Sequence, residues 1–347
     1  MPVPSNSLSG VKPLSEWLPA TPDGLLVIAG PCSAESYQQV ITTARELAAL
    51  GKVKVFRAGA WKPRTRPGTF EGKGEEALGW LREVKAETGL LTAVEVATPH
   101  HVDLCLKYGI DVVWIGSRTS VNPFSVQEIA AALQGTDLPV LVKNPLNPDL
   151  ELWIGVLERV YQAGISKLAA VHRGFNTYDK SKYRNAPLWE IPIELRRMFP
   201  ELPVICDPSH ISGNRTLLGP VAQQAVDLDY SGLMMEVHCA PDQALTDARQ
   251  QIKPRQLDTL LNNLVIRKPT NPGKSPAEVL QTYRRQIDEV DHQILELMAR
   301  RMSMVEQIGW LKKENDITVL QIRRWHAIYK DRMIRGKDLN LDAAFIK

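Results

Sequence analysis

The sequence predicts an α/β protein: a (β/α)8 TIM barrel followed by a small all-α helical domain. Three observations carry that prediction. Eight short apolar, β-branched runs recur along the first three quarters of the chain, at residues 25–30, 53–57, 91–96, 112–115, 140–143, 168–171, 204–206 and 233–237. Most are continuously apolar rather than alternating, as parallel strands covered on both faces are. Helix-length stretches separate them, and beyond Ile266 the composition changes abruptly.

Each element has a local reason. Residues 36–50 carry apolar side chains at helical spacing and end at Gly51; 74–88 end at Gly89, and 148–163 at Gly164. A glycine just past the last periodic residue is a helix stop. Eight strand-then-helix units match the size of a closed barrel. A doubly wound open sheet is the rival, disfavoured because no G-x-G-x-x-G follows the first strand. The barrel and a short N-terminal extension occupy 1–266. Residues 267–276 hold three prolines and a glycine and read as a linker. From Ala277 to about Lys313 the only glycine or proline is Gly309. That stretch makes a helix of roughly 55 Å, which needs partner helices along its length. A second helix is expected over 320–334, stopping near Gly336, so that 277–347 form the helical domain.

Composition narrows the function. The 347 residues are 44% hydrophobic and 23% charged with a formal net charge of +3, enough to build a core and too balanced for electrostatic nucleic-acid binding. No apolar run approaches the ~20 residues of a membrane span, and residues 1–20 lack the basic head and apolar stretch of a secretory signal, so a cytoplasmic protein is expected. The four cysteines, Cys32, Cys105, Cys206 and Cys239, include no C-x-x-C pair and read as reduced thiols. All but Cys32 read as buried apolar fillers.

Catalytic groups of such barrels sit where strands end. The runs end at Cys32, at Arg57 with Lys62 and Arg64 beyond, near Glu95, at Arg118, at Lys143, at His172-Arg173, at Asp207 with His210, and at Glu236 with His238; Asp247 is expected to open the following helix. Arg57, Lys62, Arg64, Arg118, Lys143 and Arg173 converging on one mouth require anions between them. Arginine forks suit phosphate and carboxylate, so a substrate set with several negative charges is implied. Cys32, His210, Glu236 and Asp247 are the ligand types of a transition-metal site, with Mn, Fe, Co and Zn all acceptable. Gly68-Thr69-Phe70-Glu71-Gly72-Lys73 is one residue short of a P-loop, with Gly74 where a Ser or Thr belongs, and is rejected as one.

Gly30-Pro31-Cys32-Ser33, the segment from Arg57 to Thr65 ending Lys62-Pro63-Arg64-Thr65, Gly116-Ser117-Arg118, Lys143-Asn144, His172-Arg173-Gly174, Asp207-Pro208-Ser209-His210 and Glu236-Val237-His238 resemble the 3-deoxy-D-arabino-heptulosonate 7-phosphate (DAHP) synthases, in the compact type I beta form. The resemblance covers about residues 20 to 265. It implies a metal-dependent condensation of phosphoenolpyruvate with erythrose 4-phosphate that releases phosphate, the first step of the shikimate pathway. Carried over, Cys32, His210, Glu236 and Asp247 hold one divalent metal ion. Arg57, Lys62, Arg118, Lys143 and Arg173 hold phosphoenolpyruvate, and Arg64, Thr65 and Asp207 the aldose phosphate. Lys62, Glu95 and Asp207 serve catalysis, with Lys62 a proton donor whose pKa would fall if the arginines crowd it. The 3-deoxy-D-manno-octulosonate 8-phosphate synthases share barrel and chemistry; Lys62-Pro63-Arg64-Thr65 is what favours the four-carbon sugar.

In the long helix Leu280, Ile287, Ile294 and Ile308 keep a heptad spacing that Arg301 interrupts, while Arg284 and Lys312 lie on the other seam. Basic residues at seam positions argue for a buried anion, because an unpaired buried charge is costly. Arg284 and Arg301 would lie about 25 Å apart along one helix and cannot share a small ligand, whereas Arg301 and Lys312, about 16 Å apart, can. Arg284-x6-Asp291, Ala299-Arg300-Arg301, Gly309-x2-Lys312 and Gln321-x2-Arg324 resemble the all-helical chorismate mutases. That resemblance implies an intertwined homodimer or a larger homo-oligomer, and chorismate or prephenate as a further partner. Its site would use Arg284 from the second chain with Arg301, Lys312, Gln321 and Arg324. At Lys347 the third helix of that family is incomplete, which implies impaired mutase activity. Allosteric control of the barrel by a chorismate-pathway acid is the regulatory expectation; a non-catalytic dimerisation module is the alternative.

Overall fold

The computed structural model describes residues 7–19, 24–62, 68–178, 181–267 and 277–346. They fall into two compact units, 1–267 and 268–347. Most of the expected linker, and with it Arg64 and Thr65, lies outside the described residues.

In the first unit eight parallel strands close on themselves: β1 (Leu26–Gly30), β2 (Val55–Arg57), β3 (Leu91–Val96), β4 (Val112–Ile115), β5 (Val140–Lys143), β6 (Leu168–His172), β7 (Val204–Cys206) and β8 (Gly232–Glu236). Each pairs with the next, and β8 returns to β1 with Ile28 opposite Met234 and Gly30 opposite Glu236. Gly30 is obligatory, because a Cβ there would overlap the backbone carbonyl of Arg57. The helices between strands are α1 (Tyr37–Ala49), α2 (Glu75–Thr88), α3 (Pro99–Tyr108), α4 (Pro123–Leu133), α5 (Leu150–Gln162), α6 (Glu190–Met198), α7 (Pro208–Ser212) and α8 (Leu218–Asp227), and α9 (Pro254–Asn263) follows β8. Ser36, Thr98, Asn122 and Asp149 cap α1, α3, α4 and α5 with side-chain oxygens on first-turn N–H groups.

Burial splits into two cores. Ile28, Val55, Trp114, Leu141, Ile205 and Met234 fill the barrel interior, and Leu18, with Leu14 and Trp17 of a short 3-10 turn, packs against them. A larger cluster joins the outer strand faces to the helices. His172 belongs to this outer core. Its Nε2 donates to the Pro187 carbonyl at 2.6 Å and its Nδ1 accepts from the Tyr230 hydroxyl at 3.1 Å. Burial pushes its pKa down to about 4; Arg173 acts in the same direction, while the Pro187 carbonyl and Asp207 oppose it. Between pH 6.5 and 4 the unfolded chain therefore binds a proton that the folded chain refuses. Stability from this residue is complete above pH 6.5 and falls by at most about 3 kcal/mol as pH drops to 4. Thermal unfolding of His172→Gln should show a flatter pH dependence across that window; an unchanged slope would contradict the burial argument.

The second unit contains α10 (Ala277–Glu314), α11 (Ile322–Asp338) and the short α12 (Ala343–Ile346). The expected stop near Gly336 is corrected: α11 runs through Gly336, which is buried because Ile346 of α12 packs where its side chain would be. Leu280, Ile287, Ile294, Ile308 and Trp310 of α10 are all exposed. No helix among the described residues is long and apolar enough to cross a membrane.

Candidate active site

The C-terminal ends of the strands gather the charged residues as expected. Trp114, projecting inward from β4, forms a floor. The Arg57 guanidinium lies 4.8 Å and the Lys143 ammonium 5.8 Å from its ring centroid, favourable cation–π distances. Its indole N–H donates to Glu95 Oε2 at 3.0 Å. Gly116 has no side chain because a Cβ there would overlap the Glu95 carboxylate. Above this floor a cleft of about 130 Å³ is lined by Lys62, Glu95, Arg118, Lys143, Arg173, His210 and Asp247. At ~30 Å³ per liquid water that space suits a small anion or metabolite fragment.

Two expected substrate contacts sit elsewhere. Arg57 is 1% exposed and lies beneath the cleft, with NH2 donating to the Cys32 carbonyl at 3.2 Å and NH1 3.6 Å from Glu236 Oε1. Asp207 is fully buried behind the cleft wall. Its Oδ2 accepts from Lys143 Nζ at 2.7 Å and meets His210 Nδ1 at 2.8 Å, while Oδ1 accepts the His210 N–H at 3.1 Å. Those interactions engage both oxygens with Lys143 and His210. Burial alone would raise its pKa, yet the His210 and Lys143 charges hold it well below the carboxylate range.

Cys32, Glu236 and Asp247 bring one ligand atom each within 4.8 Å of one another. His210 Nε2 lies 3.7 Å from Glu236 Oε1. Burial pushes the His210 pKa down, and with Nδ1 2.8 Å from Asp207 Oδ2 the ring turns Nε2 toward Glu236. Glu236 Oε1 is buried without a hydrogen-bond partner, an arrangement that a cation would complete. One thiol, one imidazole and two carboxylates suit a divalent transition metal. The Cys32 thiol is pushed up to about 12 by burial and by the Glu236 charge.

Lys62 departs from expectation. Burial lowers its pKa, but Cys32, Glu95 and Glu236 outweigh burial and Arg57, and the net shift is upward. Its Nζ lies 3.1 Å from Cys32 Sγ. Asp247 does not open a helix either: it sits in a turn with φ +46° ahead of α9. Cys239 is only partly buried, with Sγ 3.9 Å from His238 Nδ1, so it is not a simple apolar filler.

Sequence reasoning missed Arg184, Gln250 and Gln251. Arg184 lines the cleft and pairs with Asp247 Oδ1 at 3.1 Å. Its signal was the long connection from His172 to Glu190, since long loops in compact domains are commonly functional. Attention to the first charged residue after each strand passed over it.

In the second unit Arg284 and Arg301 are exposed on α10, and Lys312 Nζ donates to the Val319 carbonyl at 2.8 Å, tying α10 to the turn before α11. Gln321 is the N-cap residue of α11 and Arg324 lies in its first turn.

Residues 20–268 match the DAHP synthetase I family and residues 283–347 match chorismate mutase type II. Phospho-2-dehydro-3-deoxyheptonate aldolase of Thermotoga maritima is 34% identical over 226 residues, which are 65% of this chain and 64% of that protein. A 2-dehydro-3-deoxyphosphooctonate aldolase of Desulfotalea psychrophila is 28% identical over 72% of this chain and 92% of its own. A crystal structure of the Thermotoga maritima aldolase superposes with a TM-score of 0.62 at 31% identity, covering 69% of this chain and 67% of that one. A truncated form of the Thermotoga maritima synthase gives 0.60 at 29% identity over 69% and 84%.

Proposed function

The chain belongs to the DAHP synthetase I family, and on that premise we propose that its barrel condenses phosphoenolpyruvate with erythrose 4-phosphate to DAHP and phosphate. The observation that carries this reading is the cleft in which Lys62, Arg118, Lys143 and Arg173 face the Cys32, His210, Glu236 and Asp247 cluster. Arg118, Lys143 and Arg173 hold the phosphate and carboxylate of phosphoenolpyruvate, and Arg57 supports that wall from beneath. Arg64 and Thr65 take the aldose phosphate. One divalent metal ion, Mn, Fe, Co or Zn, would be held by the cluster and would polarise the aldehyde as a Lewis acid.

The protein's own groups supply the rest. Lys62, kept protonated by the surrounding anions, delivers a proton to the aldehyde oxygen as C3 of phosphoenolpyruvate bonds to the aldehyde carbon. Positive charge then developing at C2 faces Glu95; water adds there and gives one proton to Glu95, and cleavage of the C2–O bond leaves the ketone and releases phosphate, which carries away the second proton. Asp207 fixes Lys143 and His210.

The test is phosphoenolpyruvate loss in metal-reconstituted protein with erythrose 4-phosphate and, in parallel, arabinose 5-phosphate. EDTA-sensitive turnover with the four-carbon sugar is expected. Turnover with arabinose 5-phosphate alone would move the barrel to the octulosonate reaction named for the Desulfotalea relative.

For the helical unit we propose a chorismate mutase-type module that binds chorismate or prephenate and pairs with a second copy as a dimer or within a tetramer. The exposed apolar length of α10 supports pairing, and the distance between Arg284 and Arg301 supports a site shared between chains. Free cysteines fit a cytoplasmic location. Prephenate should lower the condensation rate, and Arg301→Ala should abolish that response without altering uninhibited turnover. A rate insensitive to prephenate, together with no turnover of chorismate, would leave pairing as the unit's role.

A further inference from the structure

We infer that Gln250 and Gln251 are positioning residues that lock three of the four metal-ligand segments into one geometry; this rests on the metal reading above. Ile252 bridges to Val237 in parallel fashion, its N–H donating to the Glu236 carbonyl at 3.2 Å and its carbonyl accepting the His238 N–H at 3.0 Å. That bridge sets Ile252 beside the end of β8, and Gln250 and Gln251 precede it at the close of a turn that starts at Asp247.

Gln250 Nε2 donates to Glu236 Oε2 at 2.6 Å, and its Oε1 accepts from Arg184 NH1 at 2.6 Å. The same guanidinium nitrogen pairs with Asp247 Oδ1. Gln251 Oε1 accepts the Cys32 N–H at 3.0 Å, and its Nε2 donates to the Thr246 carbonyl at 2.8 Å. The Thr246 hydroxyl meets the Ser33 hydroxyl at 2.6 Å, a second strut between the same two loops. Both glutamines are essentially inaccessible, at 1% and 0% exposure.

The chemistry fits this role. Glu236 has Oε2 engaged by Gln250, which leaves Oε1 without a hydrogen bond and turned toward His210 Nε2 at 3.7 Å and Arg57 NH1 at 3.6 Å. Asp247 is held at a positive φ that a non-glycine residue adopts at a cost, and the Gln250 N–H donates to its carbonyl at 3.1 Å. Outer hydrogen-bond partners of this kind typically carry 10–100-fold in metal affinity.

The experiment is Co(II) titration of the full metal-free chain, following the thiolate-to-cobalt absorption band, for wild type, Gln250→Met, Gln251→Met and Cys32→Ala. The length-matched methionines preserve volume. We expect wild type to bind one equivalent, Cys32→Ala to lose the band, and each methionine variant to bind about 10–100-fold more weakly with a shifted band. A purely structural loss would lower the unfolding midpoint of the metal-free chain but leave the folded state's cobalt affinity and spectrum unchanged; affinity within twofold of wild type overturns the inference. If Gln251→Met does not fold, Gln251→Asn, which withdraws the amide by one methylene, is read by the same criteria. Wild type binding no cobalt, or Cys32→Ala keeping the band, overturns the metal reading itself and this inference with it.

Discussion

Cys32→Ala is expected to lower condensation turnover by at least about 10³-fold, an effect that added metal does not rescue. A bound cation acting as a Lewis acid contributes several kcal/mol to the barrier, and each 1.36 kcal/mol is tenfold in rate. On the proposed metal reading Cys32 would be the soft ligand among harder ones; it is fully buried, with a ligand atom within 4.8 Å of those of Glu236 and Asp247. Its alanine variant also removes the sulfur 3.1 Å from Lys62 Nζ, leaving the Cys32 carbonyl at 3.3 Å to hold that ammonium. Chelated wild type should fall equally far and recover with added Mn(II) or Co(II). The measurement is phosphoenolpyruvate consumption with erythrose 4-phosphate across those four states. Indifference of the wild type to chelation would remove the ion from the reaction, and recovery of the variant with added metal would remove Cys32 from its ligands.

The barrel was legible because its signals are local. Buried parallel strands leave continuous apolar runs, and six of the eight observed strands fall within their expected spans, with β6 extended to His172 and β8 beginning at Gly232. Charges at strand ends located most of the cleft. What escaped was decided by three-dimensional proximity. Arg57 and Arg173 look equivalent in sequence, yet Arg57 lies under the cleft and Arg173 lines it. Asp207 reads as a cleft residue, yet it is fully buried and paired with Lys143 and His210. Gln250 and Gln251 carry no charge and gave no motif; their importance lies in bonds to Glu236 and Cys32, 14 and 219 residues away. In the second unit, the exposed helix seam was readable from its heptad spacing, while the continuation of α11 through Gly336 depends on a packing contact with Ile346.

Lys143→Met should both destabilise the barrel and abolish phosphoenolpyruvate binding. Lys143 and Asp207 form an ion pair with side chains 5% and 0% exposed. Removing one member of a buried pair typically costs about 3–5 kcal/mol, because the remaining charge is left in a poorly solvating interior. Asp207 would then rely on His210, with the more distant Arg57, to balance its charge, favouring an imidazolium whose Nε2 carries a proton and cannot bind a metal. Loss of the pair thus removes a cleft cation and a metal ligand together. Urea unfolding of the metal-free chain should report the stability loss, and isothermal titration with phosphoenolpyruvate the binding loss. Adding Asp207→Asn to Lys143→Met should restore most of the stability, since the stranded charge is gone, but no phosphoenolpyruvate affinity. If the double variant were as unstable as Lys143→Met alone, packing around the lysine stem rather than the uncompensated carboxylate would account for the loss.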